Sequence, residues 1–164
     1  MIFVCVGTQL PFDRLIRAMD QWCGRSGTEG FAQIGDVDPG GYLPKSMAWC
    51  RFLGPDDWDE RFAAADVVVA HAGMGTIISA LMAGKPIVIM PRRVAYNEHR
   101  NDHQVATTRR FEGRPGVHVA MHELELPTMV EAALSQPLVG AQRLGRYADE
   151  SLIETIRAFI LSNK

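Results

Sequence analysis

The sequence lacks an excess of charge of either sign and any long apolar run. Its 164 residues carry a formal net charge of −2, without the basic excess that is typical of nucleic-acid-binding proteins. The apolar runs, such as those at 67–70 and 87–90, fall far short of the roughly 20 residues that a membrane span requires. We therefore expect a cytoplasmic protein that binds no nucleic acid and that reaches a membrane only through a partner or a surface patch.

Cysteine is also scarce. The chain has three cysteines, Cys5, Cys23 and Cys50, an odd number at wide spacing. This pattern does not predict a disulfide framework or a zinc site, so we interpret them as reduced core residues. The apolar segment at 1–6 has no basic residues before it and stops at Gly7, which favours a first strand over a signal peptide.

Short apolar runs alternate with helical patterns along the sequence, which predicts a mainly parallel sheet with right-handed connections. We expect one Rossmann-like, doubly wound α/β domain over residues 1–164, with helices on both faces. Ligands of such sheets bind at the carboxyl ends of the strands. The predicted strands are 2–6, 31–34, 47–52, 66–70, 87–90 and 117–120, and the predicted helices are 12–22, 55–65, 76–83, 101–111, 129–134 and about 143–160.

A glycine loop between a strand and a helix is the first candidate site. It runs from His71 through Gly73, Met74 and Gly75 to Thr76. Its glycines allow backbone N–H groups to approach an anion closely, and the helix that follows directs its positive end at the same point. His71 and Thr76 can each donate a hydrogen bond to a phosphate. The alternative is a plain tight turn before a capped helix, since the dinucleotide fingerprint G-x-G-x-x-G fails at its third position, Ile78.

A polar loop after the next strand is the second candidate. Arginine recognises phosphate or carboxylate in a bidentate manner, whereas acids and amides suit sugar hydroxyls. His99 and His103 are four apart, which is also the spacing of paired metal ligands on a helix, but the predicted helix begins only near Asn101 and we expect no metal. The candidate residues of this loop are Arg92, Arg93, Asp102, His103 and Gln104.

Gly7 and Thr8 follow the first strand, so they fall at the same edge of the predicted sheet. They can close a phosphate pocket from the other side, or they can simply form a turn that ends the strand. Trp58 is most simply interpreted as a packing residue. A second interpretation is that it forms part of a pocket for the nucleotide base.

These motifs together resemble the C-terminal, donor-binding domain of family 28 glycosyltransferases, which is half of a GT-B fold. The resemblance covers roughly residues 1–112. It resembles stand-alone members in particular: the soluble subunit of the two-part dolichol-linked N-acetylglucosaminyltransferase and the bacterial exopolysaccharide glucuronosyltransferase subunit. The motifs that carry it are Gly7-Thr8, the run His71-Ala72-Gly73-Met74-Gly75-Thr76, Gly84-Lys85-Pro86 and Asp102-His103-Gln104.

The resemblance implies an inverting transferase with a UDP-sugar as substrate, no cofactor or bound metal, and a lipid-linked acceptor in polysaccharide synthesis. His71, the helix dipole and the backbone amides would stabilise the leaving diphosphate. The acceptor site and general base would lie on a membrane-anchored partner subunit. One departure concerns the ribose: many members carry a glutamate where this chain has Ser79. Arg92 and Arg93 suggest glucuronic acid as the sugar, although both can equally meet phosphate or solvent.

Two other functions remain open on the sequence. The chain can be a non-catalytic accessory subunit that stabilises a transferase partner, in which case donor binding is not needed. It can also be an independent nucleotide-binding enzyme, such as a sugar epimerase, which would turn over without a partner. The predicted helix at about 143–160 is a candidate docking element, because the last helix crosses to the other domain in two-domain relatives.

Overall fold

A computed structural model describes residues 1–135 and Glu154, so the predicted helix at about 143–160 lies outside the described residues. The strands are β1 (Ile2–Cys5), β2 (Gly30–Gln33), β3 (Ala48–Cys50), β4 (Val67–His71), β5 (Ile87–Met90) and β6 (Val117–Val119). The helices are α1 (Asp13–Ser26), α2 (Pro55–Ala64), α3 (Met74–Ala83), α4 (His103–Phe111) and α5 (Leu126–Ser135), with 3-10 turns at Val94–Tyr96 and Glu123–Glu125.

The strands form one parallel sheet in the order β3-β2-β1-β4-β5-β6. This is the doubly wound Rossmann order, in which the chain starts at the centre and builds outward in both directions. β1 and β4 are adjacent, with Val4 opposite Val69 and Cys5 opposite Ala70. The order therefore reverses between β1 and β4, and a crevice opens beyond their carboxyl ends. The predicted fold is confirmed.

Each face of the sheet is covered by helices, because successive strand residues point to opposite sides. Ile2 and Val4 pack with α1 and α5 on one face, whereas Phe3 and Cys5 pack with α2, α3 and α4 on the other. The buried strands are consequently apolar on both sides, which is why their sequences are continuous apolar runs rather than alternating ones.

Several aromatic and cysteine side chains belong to these two cores. Trp58 stacks on Phe62 at 4.6 Å and meets the edge of Phe3 at 5.9 Å, so it is a packing residue and not part of a base pocket. All three cysteines are free, as expected; Cys5 and Cys23 are buried, and Cys50 is partly exposed on β3. Within residues 1–135 and Glu154, no helix is both long and apolar enough to cross a membrane.

The start of α3 differs from the sequence-based expectation. The sequence predicts a helix from Thr76, whereas α3 begins at Met74, with Gly73 as its N-cap residue. Gly75 thus lies in the first turn of the helix rather than in a loop. The backbone N–H groups of a first turn have no partner within the helix, so the start at Met74 makes the N–H groups of residues 74–76 the unpartnered ones.

Candidate functional site

A cavity of about 300 Å³ lies beyond the carboxyl ends of β1 and β4, where the strand order reverses. This is the position at which open α/β sheets bind ligands. The segment after β1, the start of α3 and the loop between β5 and α4 surround it. The cavity is lined by Val6, Gly7, Thr8, Gln9, Leu10, His71, Gly73, Gly75, Thr76, Arg92, His99, His103 and Gln104.

The imidazole of His71 is held between the backbones of two glycines. A Cβ atom added to Gly7 would lie 2.8 Å from His71 Cε1, and one added to Gly73 would overlap Nε2 and also lie 2.8 Å from Cε1. Gly7 has φ +78°, a conformation that side chains other than glycine rarely adopt. Gly7 and Gly73, which the sequence suggests for opposite sides of a phosphate pocket, are therefore also needed to seat the histidine ring.

The N-terminus of α3 faces the cavity through Gly73, Gly75 and Thr76. No side chain caps this helix, and its first intrahelical bond runs from Ile77 N–H to the Gly73 carbonyl at 3.3 Å. The N–H groups of residues 74–76 are therefore left without a helical partner, next to the positive end of the helix dipole. An anion in the cavity can accept from these groups.

The guanidinium of Arg92 is nearly buried, at 3% exposure, and it holds the cavity wall together. Its Nη2 atom donates to the Val6 carbonyl at 2.8 Å and also to the Leu10 carbonyl, while Nη1 donates to the carbonyls of Pro11 and Glu98. These bonds fix the segment after β1 in place. Both terminal nitrogens of Arg92 thus serve the main chain, which gives this predicted ligand-binding residue a structural role.

Glu98 anchors the loop between β5 and α4. Arg14 Nε and Nη2 donate to its two carboxylate oxygens at 2.9 Å each, and Arg14 Nη1 donates to Glu123 at 2.8 Å. Glu98 also accepts from the Arg93 backbone N–H at 3.0 Å. Since His99 follows directly, the pairing of α1 with Glu98 positions one side of the cavity.

The local electrostatics keep the deepest histidine neutral. Burial, and then the neighbouring Arg92 guanidinium, lower the pKa of His71 to about 4. Burial also lowers the pKa of Arg92 to about 10, and it remains charged at neutral pH. Among the described residues that line the cavity there is no carboxylate. The cavity therefore favours an anionic ligand.

The structure brings together nine of the thirteen predicted site residues, and the other four lie elsewhere. Arg93 donates from Nη2 to the Met121 carbonyl at 3.2 Å, and Asp102 accepts from the Val94 N–H at 3.0 Å. Met74 is exposed at the start of α3, and Ser79 lies one turn further along that helix. The roles of all thirteen as ligand-binding groups stay predictions.

Sequence reasoning missed Gln9, Leu10 and His99 as residues that line the cavity. Gln9 and Leu10 follow a motif that had been recognised, but nothing in their residue types points to a ligand. His99 was considered only as half of a metal pair with His103. Its edge-to-face contact with the His103 ring, at 4.5 Å between centroids, depends on how the loop folds.

A second cavity of about 420 Å³ adjoins the first and shares Gln9, Leu10 and His99 with it. Among the described residues, Arg100 also lines this second cavity, and its side chain is exposed. A ligand with its anionic group against α3 can therefore extend past His99 toward a second positive side chain.

Comparisons with known proteins bear on the family and on the fold. The family model described as "Glycosyltransferase family 28 C-terminal domain" matches residues 1–143. No curated protein matches the chain in sequence. Among solved structures, the glycotransferase of kitacinnamycin superposes with a TM-score of 0.63 at 23% identity, over 96% of this chain and 39% of that one.

Two further structures show the same fold. MurG of Acinetobacter baumannii has a TM-score of 0.64 at 17% identity, over 95% of this chain and 49% of its own. ALG13 has a TM-score of 0.58 at 17% identity, over 94% of this chain and 93% of its own. The chain thus spans less than half the length of the first two and nearly all of the third.

Proposed function

The chain belongs to the glycosyltransferase family 28 C-terminal domains, and from that premise we propose that it binds the donor of an inverting glycosyltransferase. The donor is a UDP-sugar, and the acceptor is a lipid-linked saccharide in polysaccharide synthesis. The chain acts together with a membrane-anchored subunit that carries the acceptor, and it works in the cytoplasm at the inner face of the membrane.

The uncapped start of α3 is the observation that carries this proposal. Its free N–H groups line a cavity at the switch point of the sheet, beside His71 and without any carboxylate among the described lining residues. A diphosphate matches this arrangement, because its oxygens can accept from several N–H groups at once and its charge is favoured by the helix dipole. A neutral ligand can also accept from those donors, but it gains less from the helix dipole than an anion does.

The same groups suit the chemistry of transfer. As the bond from the anomeric carbon to the diphosphate breaks, negative charge develops on the leaving oxygen. N–H groups that are already oriented toward that point stabilise the charge without reorganising. We propose His71, which lines the cavity, as the side chain that donates there and hence as the catalytic residue. The residues of this chain accomplish the stabilisation without requiring a metal.

In our proposal this site does not supply the acceptor site or the base. Inverting transfer requires a base near the acceptor hydroxyl; the histidines that line the cavity are assigned to the diphosphate, and no carboxylate lines it among the described residues. The chain covers 39% of one structural neighbour and 49% of another. We propose that the acceptor site and the base lie on the partner.

Glucuronic acid is the proposed sugar, and the structure changes the residue that would recognise it. The guanidinium groups of Arg92 and Arg93 donate to main-chain carbonyls, whereas Arg100 borders the adjoining cavity. Arg100 is therefore the residue proposed to pair with the uronate carboxylate. UDP-glucuronic acid should bind more tightly than UDP-glucose, and Arg100→Gln should remove the difference. Equal affinities in the parent would contradict a uronate donor.

Calorimetric titration of the purified chain with UDP tests donor binding. The parent should bind UDP, and Gly75→Asp should abolish binding because it adds a negative charge in the first turn of α3. The substitution should leave the fold intact: a side chain at Gly75 meets no atom within 4 Å, and an acidic residue near a helix N-terminus is stabilising.

Gly75→Ala is the matched control, since it adds the Cβ atom without the charge, and it should bind UDP as the parent does. Equal loss in both variants would indicate steric exclusion rather than charge repulsion. No binding by a folded parent would contradict an independent donor site and would favour the accessory-subunit alternative.

A further inference from the structure

Three histidines from different segments meet at the cavity. His71 ends β4, His99 lies in the loop before α4, and His103 is the first residue of α4. The rings of His99 and His103 are 4.5 Å apart and nearly perpendicular, at 78°. They lie on the outer side of the cavity, next to the adjoining one, because His99 lines both.

The cavity has too little fixed positive charge for a diphosphate. Its permanent cation among the described lining residues is Arg92, and both of its terminal nitrogens already donate to main-chain carbonyls. The α3 dipole supplies the equivalent of about half a charge. The diphosphate of a UDP-sugar carries two negative charges, so Arg92 and the dipole together leave about half a charge uncompensated.

The groups around His99 disfavour its protonated form while the cavity is empty. Burial lowers the pKa of His99, and the nearby His103, Arg92 and Arg100 lower it further. The acids in this loop do not counter this effect: Glu98 is paired with Arg14, and Asp102 accepts from a backbone N–H. A diphosphate would reverse this balance, because an anion within a few ångströms favours protonated imidazole.

We propose that His99 and His103 are a proton-accepting pair that takes up about one proton from solvent when the donor's diphosphate enters the cavity. The imidazolium then offsets the charge of the bound and leaving diphosphate. This inference rests on the proposed function. His103 Nδ1 contacts Asn101 Oδ1. His99 Nδ1 is buried and has no hydrogen-bond partner within the described part of the chain.

Two features limit the uptake to about one proton and place it on this pair. Two positive imidazoles at 4.5 Å would repel each other, so the pair should hold no more than about one added proton. His71 lies deeper, beside Arg92 and between two glycine backbones, with its pKa at about 4. It therefore stays neutral, and its role remains that of a hydrogen-bond donor.

Calorimetric titration with UDP-glucose between pH 6 and pH 8 tests this inference. UDP-glucose replaces UDP because a terminal phosphate titrates near pH 6 and would mask the effect. Measurements in two buffers with different ionisation enthalpies give the number of protons bound. We expect uptake of about one proton near pH 7. The affinity for UDP-glucose should then fall by up to about tenfold for each unit by which the pH rises.

Variants assign the proton to the pair. The double substitution His99→Gln with His103→Gln should abolish proton uptake and flatten the pH dependence. His122→Gln is the matched control, because His122 is exposed and does not line either cavity; it should keep the parent profile.

Each other outcome has one meaning. Binding without proton uptake and without pH dependence would overturn this inference and leave donor binding intact. Uptake that persists in the double variant would move the proton to His71 and refute the assignment. Failure of the folded parent to bind at any pH would overturn both this inference and the proposed function.

Discussion

Replacing Gly73 by alanine tests whether the His71 ring is what requires a glycine after β4. The new Cβ atom would overlap Nε2 and come within 2.8 Å of Cε1, a separation that real Cβ atoms essentially never show. The backbone itself accepts alanine, since Gly73 is extended at φ −92°. The cost therefore comes from the ring, which must leave its rotamer or push on its neighbours.

The expected magnitude follows from these two responses. Overpacking in a close-packed site costs about 1–3 kcal/mol, and alanine is a poorer N-cap residue than glycine by up to about 1 kcal/mol. We expect Gly73→Ala to lower the free energy of unfolding by about 2–3 kcal/mol. For a chain of this size that corresponds to a fall in melting temperature of roughly 5–10 °C.

A double-mutant cycle separates the ring from the cap. In a His71→Ala background the ring is gone, so Gly73→Ala should cost only the cap term, about 1 kcal/mol or less. The coupling energy between the two positions should then be about 1–2 kcal/mol. Gly75→Ala is the control: it is the same change two residues along, into open space, and it should be neutral or slightly stabilising.

Urea denaturation followed by circular dichroism measures all four proteins of the cycle and the control. Equal costs of Gly73→Ala with and without the His71 ring would refute the reasoning, because they would show that the cap or the backbone alone requires the glycine.

Two further predictions concern the frame that supports the site. Asp20 is 2% exposed and accepts from the Tyr42 hydroxyl and three backbone N–H groups; burial alone would raise its pKa, but these bonds outweigh burial and lower it. The stability that the Asp20 carboxylate contributes is therefore present above its unfolded pKa near 4 and is lost as pH falls through its folded pKa. In urea denaturation from pH 3 to 7, Asp20→Asn should lower the free energy of unfolding by about 1.5–3 kcal/mol at neutral pH. The variant should also lose less stability than the parent as the pH falls. In the same assay Arg14→Met should lower the free energy of unfolding by about 2–3 kcal/mol, because it leaves the carboxylate of Glu98, which is 8% exposed, without its bidentate partner. Adding Glu98→Gln should recover part of that loss. If it recovers none, the unpaired Glu98 charge is not the cause of the loss.

The alternation of apolar runs and helical patterns was enough to predict the sheet, its parallel direction and the edge where ligands bind. Each of these depends on local periodicity and on general rules of connection. The glycine loop was also visible, because glycines between a strand and a helix have a local cause. The start of α3 at Met74 was harder to predict, because the first turn of a helix tolerates glycine and the sequence there has no pattern that marks where the helix begins.

The roles of the charged side chains could not be predicted in this way. Arg92 carries the residue type of a phosphate ligand, yet it donates to Val6, 86 positions earlier in the chain. Glu98 looks like one acid in a polar loop, and it is fixed by Arg14, 84 positions away. Which arginine meets a carbonyl and which meets solvent depends on the packing of segments that are far apart in sequence.

Residue patterns within single elements therefore determined the architecture and the edge of the sheet where the candidate cavity lies, and the motifs taken together indicated the family through their resemblance to it. Only the tertiary structure decided which side chains meet there. It placed His99 beside His103, seated His71 between Gly7 and Gly73, and engaged Arg92 in the wall of the cavity. The physical reason is that hydrogen bonds and burial are satisfied between distant segments, and a local pattern does not record which partner is found.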